Sequence, residues 1–248
     1  MRGNTYTFFF ITLVCIGCAL IVAGAASALK SQQEFAERID TYKNVLLAGG
    51  LIERGASISP QEVEKLYQEG IAGILVNVQG EVTSKETNLT PEAVLKQDKV
   101  LKGTPGYIEK EKREYPLYTV SKEGKIDAFI VPVYGKGLWS DLFGYLSLEA
   151  DGKTIRNLVF YKEGETPGLG KEITKPWFQD QFVKKSYLNE ANDITFTVGR
   201  PSSTPYPNAT EVGGISGATI TGRGVQKMIV DMMNLYRPYF EKSVWSKG

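Results

Sequence analysis

Between Arg2 and Lys30 the chain carries no charged residue, and residues 7–28 form one apolar run. No other feature limits the possible folds so tightly. About 20 apolar residues suffice to carry a helix across the hydrocarbon of a bilayer, where every backbone group must bond within the protein. A secretion signal has a shorter apolar stretch, roughly 7–15 residues, and ends in a small-residue cleavage site. Ala23-Gly24-Ala25 and Ala26-Ser27-Ala28 both have that form. The run exceeds a usual signal core and a single Arg precedes it, so composition leaves a retained anchor and a cleaved signal both open. Arg2 set against Lys30 gives almost no charge bias between the flanks, so orientation is not legible either. Cys15 and Cys18 fall inside the run. A lipid-attachment reading of Ile16-Gly17-Cys18 is weak, because Cys15 stands where Leu belongs. Both read as apolar residues of the segment.

The rest of the chain has no cysteine, which excludes disulfides and thiolate metal sites there. At 248 residues it can hold one substantial domain, or a domain with an appendage. Lys and Arg number 29 against 28 Asp and Glu, a net charge of +1, so nothing suggests nucleic-acid binding. There is no histidine. That removes Ser-His-Asp and Cys-His catalysis and histidine-ligated metals. Chemistry near neutral pH must then come from a cofactor or from perturbed carboxylates, lysines or tyrosines.

Beyond the apolar run the pattern is α/β. Ser31 can cap a helix with Phe35, Ile39, Tyr42 and Leu46 at helical spacing, stopped by Gly49-Gly50. Ser59-Pro60-Gln61-Glu62 is a capping box opening a short helix to Gln68. Residues 74–78 are a short β-rich run, and Thr90-Pro91 predicts another helix near residues 93–97. From Tyr115 onward, residues 117–120, 126–134, 142–148 and 155–161 read as strands, with Asp151-Gly152 as a hairpin turn between the last two. Residues 176–185 read as helix and 194–198 as strand. The last helix aligns Val225, Ile229, Met232, Tyr236 and Tyr239 on one face, a core stripe. Tyr206-Pro207-Asn208-Ala209-Thr210 is a loop before it.

Just before that last helix lies Gly213-Gly214-Ile215-Ser216-Gly217-Ala218-Thr219-Ile220-Thr221. Glycines allow close backbone approach, and a helix start offers unpaired N–H groups and a positive dipole end to a phosphate. No Gly-Lys-Ser/Thr follows, so this is not a Walker loop. Helix grammar alone favours reading the same residues as a Ser or Thr N-cap after a glycine turn. A second segment, Glu165-Thr166-Pro167-Gly168-Leu169-Gly170, reads on its own as a turn.

Taken together, the two segments resemble a known family. Ser216-Gly217-Ala218-Thr219-Ile220-Thr221 is similar to the S/D-G-A/S-T-x-T/S signature of proteins that carry FMN covalently, and Glu165 to Gly170 matches the E-T-P-G-L-G segment upstream of it. The resemblance covers roughly residues 111 to 241. Within the family, the single apolar segment, Leu29-Lys30 and the helix ending Lys43-Asn44-Val45-Leu46-Leu47-Ala48-Gly49-Gly50 resemble the C subunits of Na+-translocating NADH:quinone oxidoreductases. The G subunits of Rnf electron-transport complexes are the nearest alternative, and a secreted soluble FMN-binding reductase is a third. Two positions depart from the pattern: Tyr161-Lys162-Glu163-Gly164 replaces a stretch that often holds a histidine, and Gly222 stands where a serine commonly follows the acceptor. Neither removes the acceptor hydroxyl.

The resemblance implies a single N-terminal transmembrane helix followed by an extracytoplasmic FMN-binding domain, α/β (α+β), with a mostly antiparallel sheet flanked by helices. It also implies divisions of 1–30 as membrane anchor, 31–110 as a mixed subdomain, 111–241 as the main domain and 242–248 as a tail. A flavin transferase would esterify FMN onto Thr221. Ser216, Gly217, Ala218 and Thr219 would cradle the phosphate and ribityl chain. Glu165, Thr166, Gly168, Leu169 and Gly170 would pack near the ring, with Thr166 as a candidate hydrogen-bond donor. The chain would be an electron carrier in a bacterial inner membrane, anchored in the lipid bilayer with its flavin domain on the periplasmic side. Its partners would be the other subunits of a sodium-expelling NADH:quinone reductase. No G-x-G-x-x-G follows a strand, so NADH binding would fall to those partners.

Overall fold

The computed structural model describes residues 2–83, 91–103, 113–201 and 206–247. Contact density divides the chain into two units, Met1–Asp40 and Thr41–Gly248. In the first, helix α1 (Arg2–Gly49) begins and runs without interruption. Among the described residues it is the one helix long and apolar enough to span a membrane, and Phe8, Phe9, Leu20 and Ile21 lie exposed along it. The hydroxyls of Thr7 and Thr12 donate to the carbonyls four residues back, at 2.9 and 2.8 Å, which hides their polarity within the helix. The separate helix expected from Ser31 is not separate. No proline or glycine pair interrupts residues 25–48, so Ser31 lies in a helix interior and caps nothing.

The second unit begins with the last turns of α1, where Tyr42, Val45, Leu46 and Ala48 are buried. α1 stops where Gly50 takes φ +74°. The Leu51 N–H then bonds Leu46 O at 2.9 Å and the Gly50 N–H bonds Leu47 O at 3.2 Å, a Schellman closure. Helix α2 (Pro60–Gly70) starts at Ser59, whose hydroxyl accepts from the Glu62 N–H at 3.3 Å. Strand β1 (Ile71–Val76) follows, then helix α3 (Pro91–Lys102). Thr90, expected to begin α3, lies outside the described residues, as does the domain boundary expected at residue 110.

Four strands come next: β2 (Tyr115–Lys122), β3 (Lys125–Lys136), β4 (Asp141–Glu149) and β5 (Ile155–Lys162). They join β1 in a five-stranded sheet of order β1-β2-β3-β4-β5, every pair antiparallel. The mostly antiparallel sheet expected from sequence is therefore present. It also includes β1, so the stretch assigned to a subdomain of its own supplies an edge strand of the same sheet. Glu123 and Gly124, with φ of 52° and 76°, turn β2 into β3. Asp151-Gly152 turns β4 into β5, the Asp151 carboxylate accepting from the N–H groups of Lys153 and Thr154 at 2.7 and 2.9 Å.

Both faces of the sheet are covered, so its central strand β4 is continuously buried rather than alternating. On one face Phe129, Val131 and Val133 join a core with helix α5 (Thr219–Ser243), which buries Val225, Ile229, Met232, Tyr236 and Tyr239 as its spacing predicts. On the other, Tyr118 and Tyr145 meet edge to face at 6.1 Å, and the rings of Tyr42 and Tyr67 stack at 3.8 Å. Buried Gln97 of α3 accepts from the Tyr118 hydroxyl at 2.8 Å and donates to that of Tyr145.

Between β5 and α5 regular structure is sparse. The helix expected over residues 176–185 is limited to α4 (Pro176–Gln179) and a 3-10 turn (Asp180–Phe182), because Lys184 takes φ +64°. The strand expected over 194–198 narrows to β6 (Thr197–Val198), paired in parallel with β7 (Glu211–Val212). In the stretch expected as a tail, α5 continues to Ser243, and the Trp245 indole N–H donates to Asp151 O at 3.1 Å.

Candidate functional site

Three chain segments meet where β3 and β5 end and β4 and α5 begin. Residues 137–140 connect β3 to β4, residues 163–170 leave β5, and Thr219, Ile220 and Thr221 form the first turn of α5. Glycines set how closely they approach. A Cβ on Gly224 would lie 2.1 Å from Lys136 O, so only glycine lets α5 come this near the end of β3. A Cβ on Gly170 would lie 2.6 Å from Glu165 Oε2 and 2.8 Å from Thr221 Oγ1.

At the centre is a pair that joins the two sequence motifs across 56 residues: the Thr221 hydroxyl donates to Glu165 Oε2 at 2.6 Å. Both side chains are buried, Thr221 at 1% and Glu165 at 4% exposure. Glu165 Oε1 accepts from the N–H groups of Trp139 and Ser140 at 2.9 and 3.0 Å and from the Ser140 hydroxyl at 3.1 Å, while Oε2 also accepts from the Leu138 N–H at 3.2 Å. None of these donors is a cation. Burial pushes the Glu165 carboxyl upward, but the bonds from Thr221, Trp139, Ser140 and Leu138 outweigh it and hold the group below its ordinary range. It is a carboxylate at neutral pH.

Thr221 is the third residue of α5, not its cap. Ala218 occupies the N-cap and supplies no side-chain bond, so the Ser or Thr capping reading does not hold. A helix's first N–H groups lack intrahelical acceptors, and the dipole there favours an anion. Ser216, Gly217 and Thr219 are exposed at this helix start, while Ala218 is buried; Gly217 has φ +74°. In the other motif Thr166, Gly168 and Leu169 are exposed and Gly170 is buried. The Thr166 carbonyl accepts from the N–H groups of Leu169 and Lys171, both at 3.1 Å, which closes the loop.

Beside these residues runs an open groove of about 440 Å³, lined by Gly168, Glu172, Trp177, Pro201, Gly214, Ile215 and Ser216. Trp177 is half exposed, with its indole N–H bonded to Glu172 at 3.0 Å. A cavity of about 530 Å³ beyond Ser140 is lined largely by charged groups, including Asp98, Lys102, Asp141 and Lys162, that pair with one another. The structure thus brings Glu165, Gly170 and Thr221 into contact, and puts Gly168 and Ser216 on one groove. Thr166, Leu169 and Thr219 stand exposed nearby. Sequence reasoning missed the Leu138-Trp139-Ser140 turn that holds Glu165 and the groove residues Glu172 and Pro201. Gly135 and Gly137, which flank the turn's start, were its one local signal.

Comparison with known proteins gives a consistent result. The family described as FMN-binding domain matches residues 137–234. The chain is 33% identical to the C subunit of the Na(+)-translocating NADH-quinone reductase of Pseudomonas aeruginosa, over 92% of this chain and 90% of that protein. It is 31% identical to the corresponding subunit of Yersinia pestis, over 89% and 85%. Among solved structures it is similar to the C subunit from Parabacteroides distasonis, with a TM-score of 0.68, 30% identity, and coverage of 85% of this chain and 96% of that one. It is also similar to Shewanella oneidensis NqrC, with a TM-score of 0.67 and 25% identity, over 83% and 96%.

Proposed function

Because this chain belongs to the family of Na(+)-translocating NADH-quinone reductase C subunits, we propose that it carries its FMN as a phosphoester on Thr221. The coarser function follows from the family: the chain is an FMN-binding electron-transfer subunit of an oxidoreductase complex. The observation that carries the finer reading is the Thr221–Glu165 contact, which unites both flavin motifs at a helix start.

The residues present fit an FMN. Thr221 supplies an alcohol for the phosphate, and the uncapped start of α5 supplies N–H groups and a favourable dipole for its charge. Ser216, Gly217, Ala218 and Thr219 would hold the phosphate and ribityl chain. The groove beside Gly168, Trp177 and Ser216 offers an aromatic face and close backbone for a planar ring. Thr166, Leu169 and Gly170 would border it. Bound flavin supplies one- and two-electron redox chemistry without any acid or base from the protein, which suits a chain with no histidine. The protein's part is to bind, orient and tune.

In this reading α1 stays as a lipid-embedded anchor in a bacterial inner membrane and the flavin unit faces the periplasm. A flavin transferase matures the protein, and the other subunits of the reductase supply NADH oxidation, quinone reduction and the sodium path. An Rnf G subunit would share the same site. Matches to C subunits along about nine-tenths of the chain favour the first assignment.

Intact mass after co-expression with a flavin transferase tests the linkage. The wild type should gain FMN less one water and Thr221→Ala should gain nothing, whereas Thr219→Ala should keep the increment at lower yield. An increment retained by Thr221→Ala and lost by Thr219→Ala would place the ester elsewhere.

A further inference from the structure

We propose that Glu165 is a catalytic residue of the chain's own flavinylation, orienting the Thr221 hydroxyl and receiving its proton as Oγ1 attacks the flavin phosphate. The inference rests on Thr221 being the acceptor. Among the described residues Glu165 is the one charged residue that is buried, at 4% exposure. A buried charge is costly unless it is well bonded, and here three backbone N–H groups and a serine hydroxyl hold it in place. Those four bonds alone would anchor the turn. The fifth partner is different: Oε2 meets the hydroxyl of the proposed acceptor at 2.6 Å, the length of a charge-assisted O–H···O⁻ bond.

A threonine alcohol is a weak nucleophile whose proton must leave as the new bond forms. In phosphoryl transfer to protein hydroxyls, a carboxylate hydrogen-bonded to the attacking oxygen performs that task, and orientation is much of its contribution. The bond donors that make Glu165 a weak base also keep it ionised and fixed. The step balances. Thr221 Oγ1 forms a bond to the phosphorus of an FMN phosphoanhydride, the P–O bond to the second phosphate breaks, that phosphate leaves as an anion, and the hydroxyl proton passes to Glu165 Oε2. Nothing is oxidised or reduced. A Cβ at position 170 would lie 2.6 Å from Glu165 Oε2 and 2.8 Å from Thr221 Oγ1, so any residue but glycine would crowd the reacting pair. The three N–H groups that hold Glu165 come from the separate 137–140 turn.

The test measures the rate of the mass increment on the purified full chain, with purified flavin transferase and a varied concentration of flavin adenine dinucleotide. Glu165→Gln keeps the size and most bonds of the side chain but not its charge. It should lower the rate at saturating donor by about 10²-fold, with the KM for the donor unchanged. Glu165→Asp, which draws the carboxylate back by one methylene, should be slowed less, and it decides the matter if the Gln variant does not fold. A folded variant of either kind, esterified at the wild-type rate, would overturn the proposal and leave Glu165 as an anchor of the turn. A rise in KM at an unchanged saturated rate would do the same. If Thr221→Ala still gains the increment, the acceptor assignment has failed, whatever the Glu165 variants do.

Discussion

Two glycines of the E-T-P-G-L-G loop serve different physical ends. Gly168 has φ +75° and open space around its missing Cβ, so its requirement is conformational. Gly170 has no left-handed φ, but a Cβ there would collide with Glu165 and Thr221, so its requirement is space. Crowding therefore belongs to position 170, while a side chain at 168 would chiefly strain the backbone. Thr166 is exposed beside them, with its carbonyl engaged in the turn. If its hydroxyl donates to the ring, Thr166→Val should keep the covalent flavin yet shift its midpoint potential, by about 1 kcal/mol for one neutral hydrogen bond. A redox titration indistinguishable from wild type would make Thr166 a turn residue only.

The start of α5 matters more than any one side chain in it, because the whole helix is positioned through a glycine contact. α5 buries ten residues along its length, and Gly224 lets its first turns lie against Lys136 O at the end of β3. An added methyl there meets backbone at 2.1 Å, which no rotamer change relieves. Gly224→Ala should destabilise the unit by about 1–3 kcal/mol, the usual range for overpacking, despite alanine's better helix propensity. It should also slow flavin attachment, since lifting the first turn parts Thr221 from Glu165. Thermal melting and the mass increment check the two effects; an unshifted melting temperature would show that the contact is slack.

At the scale of the whole molecule the question is what holds the chain to a membrane. The first unit ends at Asp40, and its helix exposes apolar side chains for most of its length. Exposed apolar surface on that scale needs lipid or another protein to cover it. The native protein should stay in the membrane pellet through carbonate and high-salt washes. Replacing residues 1–40 with a cleavable secretion signal should release a soluble unit 41–248 that still takes up covalent flavin. Native protein found in the soluble fraction with an N-terminus near residue 26 or 29 would mean that the apolar run is a signal, not an anchor.

Much of this was legible in one dimension because it depends on local physics. The apolar run, the Asp151-Gly152 hairpin, the Ser59 cap and the stripe from Val225 to Tyr239 are read from neighbours three or four residues apart. The two motifs that resemble the family's were legible as patterns, and Thr221 was singled out with them as the proposed acceptor. What sequence could not reveal depends on contacts between distant segments. That β1 joins the sheet is decided by pairing across some forty residues. That α1 runs past Ser31 is, by contrast, a local matter, since residues 25–48 hold no proline or glycine to stop it. That Glu165 is held by Leu138, Trp139 and Ser140 is decided by N–H groups, which every residue but proline carries and no composition reveals. Local propensity and spacing determined the elements and the motifs; only the tertiary structure, by closing loops that bring a carboxylate to a hydroxyl 56 residues away, decided that they form one site.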